Sequence, residues 1–288
     1  MYTHPTYDRL RTLHLSGMLH ALEHQEQHPE IAAMPFLKRL GILLDAEWSL
    51  RDQKRLQSRL RAARLKQPAT LEDLDWQGSR RFDRSLLQSL TSDEWIRQHR
   101  NVLVLGPTGV GKTYIACALG HQACRDGYHV LYQRLPRLLS DLEIAHADGR
   151  YPKLLQRLAK IDVLVLDDWG LETLTDRSRH DLLEILDDRY QTGSTLITSQ
   201  LPVEHWHDSI GDPTLADAIL DRLIHNAYRL TIRRRIHAEE TAADPIGPVG
   251  VTSFYPRCYA PPAPAEWPWT EWPDADGLSG RMAWNTQP

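Results

Sequence analysis

The chain has 288 residues, 41% of them apolar and 25% charged, with a formal net charge of −4; this is ordinary for a soluble globular protein of one large domain or two. No apolar run approaches the roughly 18 residues that span a bilayer, and the first residues lack a charged-then-apolar signal pattern, so a cytoplasmic protein with no membrane partner is expected. Three cysteines, Cys117, Cys124 and Cys258, show neither CxxC spacing nor an even framework, which argues against structural zinc and for a reducing compartment.

From Tyr7 to His28 the apolar residues Leu10, Leu13, Met18, Leu19 and Leu22 recur at helical spacing, and Pro29 closes the segment. His20, His24 and His28 share one face of that helix without a carboxylate or thiol partner, which reads as a solvated polar face rather than a metal site. A second, longer helix starts near Pro35 and turns strongly basic. Arg51, Lys54, Arg55, Arg59, Arg61, Arg64 and Lys66 face a single acid, Asp52, while Leu56, Leu60 and Ala63 keep an apolar seam. Solvated helix faces normally mix signs, whereas this one repels itself unless an anion lies alongside; duplex DNA, which gains affinity with every condensed counterion released, is the expected partner.

Lys66-Gln67-Pro68 breaks the basic helix and marks a boundary. A connection over 70–76 and a helical stretch over 80–97 lead into Val102-Leu103-Val104-Leu105, a β-branched run followed by Gly106-Pro107-Thr108-Gly109-Val110-Gly111-Lys112-Thr113. This is a complete GxxxxGK[ST] phosphate-binding loop between a buried-type strand and a helix. The glycines let backbone N–H groups turn inward around phosphate oxygens, and the helix adds its positive end. Lys112 is expected to reach the β- and γ-phosphates, and Thr113 to offer its hydroxyl to Mg²⁺. A strand at His129 to Tyr132 and helices at 135–147 and 151–160 continue a βαβ alternation, hence an α/β fold with a mostly parallel sheet covered on both faces.

Val163-Leu164-Val165-Leu166 is a further strand and ends in Asp167-Asp168. Acids at a strand's C-terminal end lie at the edge where open α/β sheets bind ligands. Asp167 is expected to hold Mg²⁺ through water, and Asp168 to orient or deprotonate the attacking water in phosphoryl transfer. An acidic helix over 175–190 precedes strand Thr195 to Thr198, whose polar end, Ser199-Gln200, is suited to positioning the lytic water. A helix over 213–226 carries Asp221-Arg222, and 228–232 is the last strand.

These stretches together resemble the transposition helper ATPases of IS21-type insertion sequences, the IstB-like branch of the AAA+ superfamily, with bacterial helicase loaders as near relatives. The resemblance covers roughly residues 7 to 232. It rests on the P-loop, on the Asp-Asp-Trp-Gly ending at Gly170, on Thr198-Ser199-Gln200-Leu201-Pro202-Val203 with Trp206, and on the block from Ile210 to Leu223. It implies an AAA+ P-loop domain at 67–232, three αβα layers around a parallel five-stranded sheet. A small helical N-terminal domain at 1–66 would serve assembly and transposase or DNA contact, and an irregular tail would fill 233–288. It further implies ATP and Mg²⁺ as ligands, Lys112, Asp168, Gln200 and Arg222 as catalytic residues, with Gln200 at a sensor position, and a homo-oligomer in which Arg222 enters the neighbour's site as an arginine finger. The implied activity is ATP hydrolysis controlling an insertion-sequence transposase on duplex DNA. A helicase loader shares the ATPase core and differs in its client; a small-molecule kinase fits the paired acids and Arg222 less well.

After the last strand the family pattern continues Gly-Glu-Ser-Met-Arg-Lys-Lys, its arginine being a second sensor of nucleotide state. Positions 234–240 read Arg-Arg-Ile-His-Ala-Glu-Glu instead, with Ala238 at the sensor's place. One permitted coding of that heptapeptide, CGG CGA ATC CAT GCG GAA GAA followed by the A of Thr241, reads one base later as the family string. Beyond it the chain crowds in proline and tryptophan with no helical or alternating period, so a frameshifted, disordered tail is expected. The gene's own codons over 234–240 decide this.

Overall fold

The computed structural model describes residues 4–74 and 80–234. They lie in the first of the chain's two compact units, Met1–His237; the second, Ala238–Pro288, and with it the expectation for the tail and for Ala238, lies outside the described residues.

Where one helix was expected from Tyr7 to His28 there are two, α1 (Pro5–Thr12) and α2 (Ser16–Gln27). His14 takes a left-handed φ of 55° and the Leu15 amide bonds back to the Leu10 carbonyl at 2.9 Å. The turn folds α1 onto α2, so that Tyr7 and Leu10 close over Leu19; burying that small cluster outweighs continuing the helix. After a single turn, α3 (Pro29–Ala32), comes α4 (Phe36–Ala63), 28 residues ended by Arg64 in the left-handed conformation. α2 lies against α4 at Gly17, where a Cβ would stand 2.6 Å from the Glu47 Cα. The buried Glu47 carboxylate accepts from the Gly17 and Met18 amides, at 2.7 and 3.2 Å, and from Arg51 Nε at 2.6 Å. Burial pushes this carboxyl up, but Arg51 and the two amides outweigh it and hold the group below its ordinary range.

The basic half of α4 packs directly on the helix that follows the glycine-rich loop rather than standing apart from the sheet domain. Ala63 is fully buried among residues of the P-loop helix, and Arg59 Nε donates to the Cys124 carbonyl at 2.8 Å. The stretch read as one helix over 80–97 holds a short strand β1 (Arg80–Arg81) and two short helices, α5 (Arg84–Ser89), N-capped by Asp83, and α6 (Glu94–Arg97).

The sheet-forming elements then alternate: β2 (Asn101–Leu105), α7 (Lys112–Arg125), β3 (Val130–Arg134), α8 (Leu135–Ala147), α9 (Tyr151–Ala159), β4 (Val163–Trp169), α10 (Asp176–Arg189), β5 (Ser194–Ser199), α11 (Trp206–Ile210), α12 (Pro213–Ile224) and β6 (Ala227–Thr231). Strands β2 to β6 form one parallel five-stranded sheet in the order β3-β4-β5-β2-β6. Both faces are covered, as an all-parallel sheet requires: Val102, Val104, Val163, Val165 and Leu196 face α7, while Leu103, Leu164, Leu166 and Ile197 face α8, α10 and α12. A strand not foreseen, β7 (Arg233–Arg234), pairs antiparallel with β1. Among the described residues no helix is long and apolar enough to cross a membrane.

Candidate nucleotide site

The chemistry-bearing residues gather at the C-terminal edge of the sheet. β2 ends at Leu105, and Gly106 follows with φ 151°, where a Cβ would strike the Ile232 carbonyl oxygen; a glycine is the residue that lets the loop leave the strand so close to the β6 exit. The loop closes at Gly111, which caps α7. Lys112 is buried and its Nζ donates to the Pro107 carbonyl at 2.9 Å. Burial lowers its pKa, while the charges of Asp167 and Asp168 pull the other way. Thr113 Oγ1 lies 3.0 and 3.1 Å from the two Asp167 oxygens, tying the start of α7 to the end of β4.

Asp167 has no exposed surface. Its carboxylate accepts from the hydroxyls of Thr113, Thr198 and Tyr132, the last at 2.5 Å, and Lys66 Nζ stands 3.7 Å from Oδ2. Burial and that bond to Asp167 hold the Tyr132 hydroxyl protonated far above its ordinary range. Consecutive strand residues point to opposite faces, so two adjacent acids share a site only if the strand is interrupted. Here it is: Asp168 takes φ 66° and the β4–β5 register shifts between Leu166 and Trp169, a local irregularity of the kind that re-aims side chains near active sites. The Asp168 amide bonds Thr198 Oγ1 at 3.2 Å, and its carboxylate accepts from Arg134 Nε at 2.6 Å. That bond raises the Arg134 pKa further. Behind the acids, Trp169 and Trp206 pack with ring centroids 5.0 Å apart, and Gly170, at φ 77°, leaves no room for a Cβ beside Leu201.

β5 lies between the strand that leads into the loop and the strand that carries the acids, and Gln200, just past its end, accepts from Thr108 Oγ1 at 2.6 Å. Lys112, Thr113, Asp167, Asp168 and Gln200 are thus brought together. Arg222 is not among them. It sits in the last turn of α12, where its carbonyl accepts from Asn101 Nδ2 at the beginning of β2, and its guanidinium pairs with Asp187. A five-residue strand, about 15 Å at some 3.3 Å per residue, separates it from the chain's own P-loop.

The basic tract of α4 divides. Arg51 is held by Glu47, Arg59 by the Cys124 carbonyl, and Lys66 stands at Asp167. Arg64 borders a cavity of about 310 Å³ with Tyr132, Arg134, Arg137 and Arg157. Lys54, Arg55 and Arg61 are exposed. Sequence reasoning missed Tyr132 and Arg134. Their signal was positional: polar residues closing the strand that a right-handed βαβ crossover sets beside the acid strand.

The donor set suits a hard cation. One buried carboxylate and one hydroxyl, both oxygen donors, match the way Mg²⁺ is bound through one or two carboxylates together with substrate phosphates.

Residues 8–238 match the family described as IstB-like ATP binding protein. An insertion-sequence ATP-binding protein of Sinorhizobium fredii is 51% identical over 232 residues, covering 81% of this chain and 95% of the relative. The ATP-binding protein of insertion sequence IS1162 from Pseudomonas fluorescens is 54% identical over 203 residues, 70% of this chain and 88% of the relative. The crystal structure of DnaI superposes with a TM-score of 0.51 at 22% identity, over 58% of this chain and 95% of that one, a likeness of fold.

Proposed function

The chain belongs to the IstB-like ATP-binding proteins, and on that premise we propose that it hydrolyses ATP as an oligomer on duplex DNA and so controls an insertion-sequence transposase. The observation that carries the reading is the convergence of Lys112, Thr113, Asp167, Asp168 and Gln200 on one sheet edge.

The P-loop amides cradle the phosphates, and Lys112, whose Nζ lies at the Pro107 carbonyl of the loop, reaches the β- and γ-groups. Thr113 and Asp167 would hold Mg²⁺, and the ion would supply positive charge to the phosphate oxygens there. Asp168 takes the proton of the water that attacks the γ-phosphorus, the bond to the bridging oxygen breaks, and ADP leaves with that oxygen's electron pair. Gln200 orients the same water. Arg222, about a strand's length from its own P-loop, serves a neighbouring subunit, where it neutralises charge on the transferring phosphoryl group. A lone subunit therefore has an unfinished site. The exposed cations Lys54, Arg55 and Arg61, with Arg64, meet the DNA phosphates, and the N-terminal helices serve assembly and transposase contact. Transposase, rather than replicative helicase, is the client favoured, because the similar proteins are named for insertion sequences.

The test is the ATPase rate with and without duplex DNA across protein concentration. Turnover per subunit should rise with concentration and with DNA. A rate indifferent to both overturns the reading.

A further inference from the structure

Lys66 belongs to the basic tract by sequence but not by position. α4 ends at Arg64 in a left-handed turn, and the chain then runs directly over the P-loop helix. Leu65 meets α7 at Gly120, where a Cβ would lie 3.1 Å from Leu65 Cδ2. The backbone of Lys66 and Gln67 reaches the Cys117 thiol of α7 and partly offsets the upward push that burial gives its pKa. This anchoring fixes the Lys66 Cα beside the sheet edge, and its side chain, half exposed, brings Nζ to 3.7 Å from Oδ2 of the fully buried Asp167.

Asp167 is otherwise served only by hydroxyls among the described residues: Thr113, Thr198 and Tyr132 donate to it, and none carries charge. Lys112, the other cation of the loop, bonds the Pro107 carbonyl. A buried carboxylate without a counter-charge is costly, and the ammonium of Lys66 is the nearest charge of opposite sign that the structure gives it.

We propose that Lys66 is the built-in counter-ion of Asp167 and competes with the divalent cation for that carboxylate, so that the residue joining the long N-terminal helix to the ATPase body sets how much Mg²⁺ is needed to load nucleotide. This rests on the reading of the site as a Mg–nucleotide site. Two cations near one carboxylate repel each other, and a half-exposed lysine on four methylenes has water to swing into, whereas Asp167 and Thr113 have nowhere to go. Lys66 therefore yields when the metal enters, and the cost of its leaving appears as a raised Mg²⁺ requirement. It is a positioning residue, acting on the metal through Asp167 and not on the phosphates.

The experiment is equilibrium binding of the fluorescent nucleotide mant-ADP to the full chain, titrated with Mg²⁺ and repeated in EDTA. Lys66→Met keeps the length and removes the charge. It should lower the Mg²⁺ concentration for half-maximal binding by roughly three- to tenfold, the scale of a half-exposed charge beside a buried one, and leave binding in EDTA unchanged. Lys66→Arg should keep the wild-type requirement, and Lys153→Met, which removes an exposed charge on α9, should do the same. An unchanged or higher Mg²⁺ requirement for Lys66→Met overturns the proposal, as does weaker binding in EDTA, which would make Lys66 a phosphate ligand. If wild type binds no mant-ADP, or binds it without regard to Mg²⁺, the site reading itself falls and this inference with it.

Discussion

Arg134→Ala should raise the proposed ATP turnover. In the structure the carboxylate assigned to water activation is engaged: Arg134 Nε bonds Asp168 Oδ2 at 2.6 Å, drawing the acid toward β3. A carboxylate paired with guanidinium has its oxygen engaged and is held away from the loop, so each turnover must first break or stretch this pair. The pair's worth depends on its exposure. The guanidinium is 51% exposed and the Asp168 side chain 20%, so solvent screening leaves about 0.5–1 kcal/mol rather than the value for a buried pair. At about 1.4 kcal/mol per tenfold in rate, releasing Asp168 raises DNA-independent turnover roughly two- to fivefold. Steady-state phosphate release at saturating ATP measures it, with mant-ADP affinity as the control, which should stay within about twofold because the Arg134 guanidinium is spent on Asp168 and not on the P-loop. Stimulation by duplex DNA should shrink correspondingly, since part of what DNA would release has been released already. A tenfold or greater loss of rate refutes the reasoning: Arg134 would then be holding Asp168 in its working position.

Lys112→Ala should abolish nucleotide binding, and Asp168→Asn should retain binding yet lose hydrolysis, leaving DNA-bound assemblies that persist in ATP; mant-ADP titration and phosphate release separate the two, and surviving hydrolysis in Asp168→Asn would reassign the acid. For the basic tract, Lys54, Arg55 and Arg61 changed together to Glu should weaken duplex binding and flatten its dependence on salt by about one log–log unit per lost phosphate contact. Arg59 is left out of that set because its bond to Cys124 is structural, and an unchanged slope moves the DNA contact elsewhere. Glu47→Gln should lower stability at neutral pH by about 1–2 kcal/mol, from a charge-assisted bond lost to Arg51 and weakened bonds to two amides. Folding lowers this carboxyl below its ordinary 4.5, so the wild-type advantage is full above about pH 5 and fades as pH falls through the folded value. Thermal unfolding of both chains from pH 7 to 3.5 should converge, and a gap that widens in acid contradicts the assignment.

What was legible in the sequence was what repeats or what chemistry constrains. β-branched apolar runs marked β2 and β5 to within a residue at each end and β4 from its first residue, because a strand buried on both faces must be apolar throughout; β4 runs on through the acids to Trp169. The P-loop was legible for the same kind of reason: a backbone cradle admits few residues. What was not legible depended on contacts between distant segments. The break at His14 exists because α1 closes over Leu19, and a helical period runs through it undisturbed. Lys66 and Arg59 look like any other cations of a basic helix, and only the packing of α4 on α7 gives them private partners. Tyr132 and Arg134 acquire meaning from strand order, which places β3 beside β4, and not from their own neighbours in the chain.

Strand order also fixes a length. β2 and β4 are not adjacent; β5 lies between them, so the backbones of the strand that leads into the loop and the strand that carries the acids are two inter-strand spacings apart, about 9.6 Å at the usual 4.8 Å each. That span is a property of the backbone ladder and does not relax with side-chain rotamers. β5 acts as a spacer shim, with Thr198 and Gln200 facing its two working edges. Substitutions of Leu196 or Ile197, both fully buried, would tilt the shim and misalign both halves of the site at once. Such variants would fold, bind nucleotide weakly and hydrolyse it poorly. An engineer seeking to retune this site without touching a polar residue has its adjusting screw there.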